Sequence, residues 1–152
     1  MKRDPLFVTA AVGTIAQLLF AGLEIFGWGD RFVATAAPKW IGYQKLGDLS
    51  TEMRAKIDWA ENLADNIGTY NLVLAIGLAW VAYERHKSIR MSIPTGENVR
   101  TLAVFLGVWL LVAAVAAGLT AVYGALALQG ALGLALLYVA LDHSRDTAPA
   151  AI

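Results

Sequence analysis

The sequence predicts an all-α integral membrane protein, a four-helix bundle whose second helix extends outside the membrane. The chain has 152 residues, of which 58% are hydrophobic and 16% are charged, whereas a soluble domain carries about 25% charged residues. Charge is absent from residues 5–23, 66–83 and 101–141. A hydrocarbon core about 30 Å thick needs about 20 helical residues, so the first two stretches each fit one span. The third would be about 60 Å long as one helix, so it must fold back into two spans.

These stretches predict one transmembrane domain over 1–152, with spans at 5–28, 68–83, 101–122 and 125–141 and an external loop over 29–67. Pro5 suits a first helical turn, since it has no N–H to lose there. The run over 5–28 is longer than the apolar core of a signal peptide, about 7–15 residues, so we expect it to be a span. No polar turn separates the last two spans, and Gly124 is the predicted hinge.

The second span is predicted to be the inner part of a much longer helix. No proline interrupts the chain between Thr51 and Pro94. Ser50 suits an N-cap, and Glu52 places a carboxylate in the first turn, where it complements the helix dipole. We therefore expect one helix that begins outside the membrane at Thr51 and then enters the bilayer.

Lysine and arginine predict the orientation. With four spans, the N-terminus, the second loop and the C-terminus share one side. That side has seven Lys and Arg residues, with Arg85 counted in the second loop, and the opposite side has five. The positive-inside rule predicts that both termini are cytoplasmic.

In that orientation the polar residues of the spans gather in the outer half of the membrane. A carboxylate in hydrocarbon costs a few kcal/mol and normally faces protein or water, so Glu24 is the predicted charged or proton-carrying group of a ligand site. We expect Asn66 and Tyr70 to face Glu24, within reach of a hydrogen bond or of one bridging water. Gln17 lies two turns from Glu24 on the same helix face. The residues predicted to orient a ligand are Gln17, Asn66, Tyr70, Asn71, Tyr123 and Gln129.

Two alternatives to this pocket stay open. Interhelical hydrogen bonds from such side chains also hold membrane bundles together, at about 0.6 kcal/mol each, so packing alone is an alternative interpretation of the cluster, less favoured than the pocket. A small proton-coupled exporter is a second hypothesis, because small multidrug exporters also have four helices and one essential glutamate.

Composition argues against several kinds of chemistry. There is no cysteine, which excludes disulfides, thiolate catalysis and zinc–sulfur sites. Two distant histidines do not predict a metal site, and we expect no cofactor. A formal net charge of zero gives no indication of nucleic-acid binding. Neither a Ser-His-Asp arrangement, nor HExxH, nor a phosphate-binding glycine loop is evident, so the sequence leans against an enzyme without deciding the point.

Three motifs carry a family resemblance: LEIFGW at 23–28, NIGTYNLVLAIGL at 66–78 and AVYGAL at 121–126. They resemble a family of small four-helix bacterial membrane proteins known as a domain of unknown function, the thirteen-oh-four type. That family reads L-E-M-F-x-W, N-x-G-x-Y-N-x-x-L-A-x-G-L and A-x-Y-G-A. The resemblance implies a bacterial plasma (inner) membrane protein and brings no known activity. The family's Glu-His pair upstream of its glutamate is replaced by Ala16 and Gln17.

The leading functional hypothesis is a non-enzymatic bundle that binds or conducts a small molecule or lipid through an outer-facing polar pocket. The alternative is a structural or accessory subunit of a membrane complex, which would contact its partner through the amphipathic stretch 51–62. The expected partners are the lipid bilayer, the small molecule or lipid itself, and a second copy or another membrane protein.

Overall fold

The structure is a computed structural model that describes residues 4–26, 51–119 and 123–142. Within these ranges every secondary-structure element is a helix and there is no strand, so the predicted all-α class is confirmed. In chain order the helices are α1 (Pro5–Phe26), α2 (Thr51–Met91), α3 (Glu97–Leu119) and α4 (Tyr123–Leu141). Trp28 and most of the predicted external loop lie outside the described residues.

Three described helices are long and apolar enough to cross a membrane, namely Pro5–Phe26, Asp65–Met91 and Glu97–Ala117. They indicate a membrane protein. The apolar segment of α4, Leu126–Leu141, is shorter, so the fourth span stays a prediction. Large apolar side chains are exposed along α1 at every fourth residue, at Ile15, Leu19 and Leu23. Such a stripe faces one direction on a helix and suits contact with lipid.

The first helix begins as its sequence predicts. Asp4 is its N-cap, since its side-chain Oδ1 accepts a hydrogen bond from the Phe7 N–H at 3.0 Å. The Asp4 carbonyl accepts from the Val8 N–H, also at 3.0 Å. Pro5 then occupies the first helical position, where its missing N–H would have had no partner within the helix.

The predicted continuity of the second helix is confirmed, because α2 runs without a break for 41 residues. It ends at Met91, before Pro94, and the next residue, Ser92, has a left-handed φ of 52°. The Ser92 N–H donates to the Ile89 carbonyl at 3.2 Å, and the Ile93 N–H donates to the Ser88 carbonyl at 3.0 Å. This pair of bonds is the Schellman arrangement, which satisfies the last carbonyls of a helix.

The break between the last two helices differs from the prediction. α3 ends at Leu119 and α4 begins at Tyr123, so Gly124 lies within the first turn of α4 and the predicted hinge there is wrong. A glycine flanked by apolar residues carries no turn signal strong enough to locate such a break.

The structure groups into two compact units. The first joins Met1–Ile15 to Leu74–Ile152, and the second is Ala16–Val73. In the first unit, Leu78, Val81, Leu110 and Leu136 are fully buried. α3 and α4 approach so closely that a Cβ on Gly133 would lie 2.9 Å from the Gly107 carbonyl oxygen. Small residues commonly permit such contact between membrane helices.

Candidate functional site

Among the described residues of the second unit, one side-chain hydrogen bond joins α1 to α2. Asn71 Nδ2 donates to Glu24 Oε2 at 2.5 Å. Asn71 is buried, with 4% of its surface exposed, and Glu24 is partly buried. The structure therefore joins two of the predicted site residues, which are 47 positions apart in the sequence.

Gly68 permits this contact. A Cβ at this position would lie 2.6 Å from Ile25 Cγ1 and 3.1 Å from Glu24 Cβ. Real Cβ atoms essentially never lie 2.6 Å from another atom, so a larger residue would force Ile25 or the helices to shift. Gly68 and Asn71 are three residues apart and lie on the same side of α2. The glycine thus brings the backbones together where the asparagine needs to reach the carboxylate.

Gln17 is the most deeply buried residue of the predicted site, with 0% of its surface exposed. Neither Nε2 nor Oε1 of its amide has a hydrogen-bond partner in the described part of the chain. Buried polar side chains nearly always have one, and an unsatisfied group costs about 1–3 kcal/mol. The packing of the second unit therefore does not explain why a polar amide is buried at position 17.

Asn66 and Tyr70 are placed differently from the expectation that they face Glu24. Both are exposed, Tyr70 by 62%, and among the described contacts neither donates a hydrogen bond to the carboxylate. The reason is rotational phase, since Tyr70 and Asn71 point about 100° apart around a helix. The face of Asn62, Asn66 and Tyr70 is therefore not the one that meets α1. Their part in ligand binding stays a prediction.

The two remaining predicted residues belong to the first unit. Gln129 is buried on α4. Tyr123 is the first residue of that helix, and its side chain lies outside the described part of the structure. A place for either of them beside Glu24 stays a prediction.

A second polar cluster, which the sequence analysis missed, lies in the first unit. Arg85 Nη2 contacts Asp4 Oδ2 at 2.6 Å, and Arg85 Nη1 donates to Thr95 Oγ1 at 2.5 Å. Counting Arg85 as a loop residue was wrong, because it lies within α2 and is buried. One signal was available. Leu78, Val81 and Arg85 are spaced i, i+3 and i+7, so Arg85 continues the buried face of the helix.

The arginine also sets the acidity of Asp4. Burial by itself would raise the pKa of the Asp4 carboxyl. Hydrogen bonds from Arg85 and from the Phe7 and Leu6 N–H groups, with the positive charge of Arg85, outweigh that effect and hold the pKa below its ordinary value. Asp4 is consequently ionised at neutral pH and forms a true ion pair.

An open groove of about 400 Å³ lies elsewhere in the first unit. There Arg100 Nη1 donates to the Ala140 carbonyl at 2.9 Å, which satisfies an end carbonyl of α4. Glu97 and Arg100 both line the groove, so its lining carries one charge of each sign. None of the residues predicted to bind a ligand lines this groove. Of those residues, Glu24 and Asn71 are the two that contact each other.

Comparison with known proteins adds no relative to this picture. The resemblance to the uncharacterised four-helix family therefore stays a prediction that rests on three motifs, two of which contain Glu24 and Asn71. No protein-family model matches the chain, and neither the curated proteins nor the solved structures include a match.

Proposed function

We propose that this protein binds a small molecule or lipid within the membrane, at a polar site centred on Glu24 and oriented by Asn71. The observation that carries the proposal is the 2.5 Å hydrogen bond from Asn71 Nδ2 to Glu24 Oε2. It engages one carboxylate oxygen, and a carboxylate accepts hydrogen bonds at two. Among the described residues no contact occupies Oε1, which leaves an acceptor for a ligand or a proton.

A placement in the membrane accompanies this proposal. The protein is a four-span bundle of the bacterial inner membrane with both termini in the cytoplasm, and the site faces outward. The length of α2 supports an external extension, since 41 helical residues measure about 60 Å, twice a hydrocarbon core. Without Arg85, six lysine and arginine residues remain on the side of the termini against five on the other, and this excess supports the orientation.

Helix packing without a ligand is the alternative, and one observation favours it. The close approach at Gly68 shows that the α1–α2 contact is tight, and a hydrogen bond across a tight contact stabilises a bundle with or without a ligand. In that case the protein serves as a structural or accessory subunit. A proton-coupled exporter instead requires Glu24 to change its protonation during transport.

The substitution Glu24→Gln separates these alternatives, because it keeps the shape of the side chain and its hydrogen bonding while removing the charge. Protein purified in mild detergent is measured by native mass spectrometry for compounds that remain bound, and by thermal unfolding from pH 5 to 8. We expect the variant to fold and to lose the bound mass. Glu84→Gln is the matched control, since Glu84 is also a partly buried glutamate on a membrane helix, and it should retain the mass.

The contrary outcome is equally definite. If Glu24→Gln keeps the same bound compounds, and its unfolding temperature follows that of the unsubstituted protein at every pH, Glu24 is a packing residue. The binding proposal then has no central group.

A further inference from the structure

The buried amide of Gln17 has properties that packing does not explain. Gln17 is one of the largest fully buried side chains, and the others in that group are Leu78, Leu110, Leu136 and Val81. A donor and an acceptor, Nε2 and Oε1, are both buried without a hydrogen-bond partner among the described residues. An apolar side chain of this size would have filled the same space without that penalty.

The position of Gln17 relates it to the site at Glu24. The two residues are seven apart, so they lie on the same face of α1, about 10 Å from each other along the helix. Ala21 lies between them on that face and is buried. Gln17 is therefore the next polar group along the face that carries Glu24.

We propose that Gln17 is the inner contact of the same site, and that its amide binds a hydroxyl group, supplied by water or by a small neutral alcohol. This inference rests on the proposed function of Glu24. A hydroxyl donates and accepts at once, so it satisfies Gln17 Oε1 and Nε2 together. An anion would face two acceptors, the amide oxygen and the Glu24 carboxylate. A cation would leave the Gln17 N–H donors unsatisfied.

Access to Gln17 is the first test, and the chain is well suited to it because it contains no cysteine. Single variants Gln17→Cys and Ala21→Cys are treated in membrane vesicles with methyl methanethiosulfonate, a small neutral reagent. Ala10→Cys is the matched control, because Ala10 is also fully buried on α1 and lies seven residues from Gln17. We expect Gln17→Cys and Ala21→Cys to react about tenfold faster than the control, since thiol reactivity requires access to water and reagent.

The second test identifies the source of the hydroxyl. Thermal unfolding of the unsubstituted protein and of Gln17→Met is followed over a glycerol series. A saturable rise in unfolding temperature that only the unsubstituted protein shows would indicate an alcohol. An equal response of both proteins, together with rapid labelling, would indicate water.

Two results would overturn the inference. One is labelling of Gln17→Cys and Ala21→Cys at the slow rate of Ala10→Cys. The other is a higher unfolding temperature for Gln17→Met at every glycerol concentration, as expected when an unsatisfied amide is simply removed. Ala21→Cys is a small change, so the labelling test survives if Gln17→Cys does not fold. If Glu24→Gln loses the bound compounds but Gln17→Cys and Ala21→Cys are labelled slowly, the inference about Gln17 is refuted and the proposed function stands. If both cysteine variants are labelled rapidly but Glu24→Gln keeps the bound compounds, the proposed function is refuted and the access of Gln17 to a hydroxyl group stands.

Discussion

Among the described residues, two hydrogen-bonded contacts join α1 and its N-cap to α2, and they differ in how their charge is balanced. In the first unit Asp4 meets a full counter-charge, Arg85, which also donates to Thr95. In the second unit Glu24 meets the neutral amide of Asn71. An ion pair whose members are well hydrogen-bonded has little left to offer a ligand, whereas the carboxylate of Glu24 has no counter-charge within the described part of the chain. The first contact is therefore structural, and the second is the better candidate for function.

The surroundings of Asp4 and Glu24 also differ, in a way that supports a structural role for Asp4 and a functional one for Glu24. Asp4 serves at once as the N-cap of α1 and as the partner of Arg85, so one side chain satisfies two structural needs. Glu24 lies near the other end of α1, where Gly68 brings α2 unusually close. The Glu24 Cβ is itself among the atoms closest to Gly68, so the carboxylate lies at this close contact.

The largest effect is expected when the ion pair loses its cation. Arg85→Met leaves Asp4 partly buried without a counter-charge and should lower the free energy of unfolding by about 3 kcal/mol, at the lower end of the range for breaking a buried pair. The lower end applies because the two side chains remain 10% and 18% exposed. Unfolding by SDS in detergent micelles measures the change. Lys87→Met is the control, because Lys87 is exposed and the substitution removes only its 3.8 Å contact with Glu84. An equal loss in both variants would contradict a structural role for Asp4 and Arg85.

A substitution at Gly68 tests the second contact next. The Cβ of Gly68→Ala would lie 2.6 Å from Ile25 Cγ1, so we expect a loss of about 1–3 kcal/mol from overpacking, together with weaker retention of any bound compound. Gly22→Ala is the control, because a Cβ on Gly22 meets nothing within 4 Å. That control should gain about 0.5–1 kcal/mol, as expected for alanine in a helix. Equal behaviour of the two variants would show that the approach of α1 to α2 is not tight.

Acid should weaken the first contact. The pKa of Asp4 is lower in the folded protein than its ordinary value of 3.8, so the unfolded chain takes up a proton more readily. The contribution of Asp4 to stability is therefore complete above about pH 4 and is lost as the pH falls through the lowered pKa. The difference in unfolding free energy between the unsubstituted protein and Asp4→Asn should shrink below pH 4. A difference that is constant down to pH 2 would contradict the ion pair.

The smallest effect concerns the end of α2, near Arg85. Ser92 adopts a left-handed φ of 52°, which is unfavourable for a residue with a Cβ. Ser92→Gly should stabilise the protein by roughly 0.5–1 kcal/mol, because glycine is the usual residue at this position of a Schellman motif. Ser92→Ala retains the Cβ and should bring no gain. Equal stability of the glycine and alanine variants would show that the backbone there is not strained.

The sequence by itself determined where the helices form, because helix formation depends on residues that are close together in the chain. The absence of charge over 5–23 and 101–141 predicted apolar helices, and the position of Pro5 and the uninterrupted run from Thr51 predicted helix geometry that the structure confirms. The fourth span, the external extension and the orientation stay predictions. Local signals suffice for helices because their hydrogen bonds join residues four apart.

Tertiary structure decided which polar side chains meet. From the sequence, Asn66 and Tyr70 were as good a partner for Glu24 as Asn71, because all three are predicted at a similar depth in the membrane. The choice depended on the rotation of α2 about its axis, and Gly68 lies on the face of α2 that closely approaches α1. The pairing of Asp4 with Arg85, 81 positions apart, was equally beyond local patterns. A contact between distant residues depends on how whole helices pack, and the packing is a property of all their faces together.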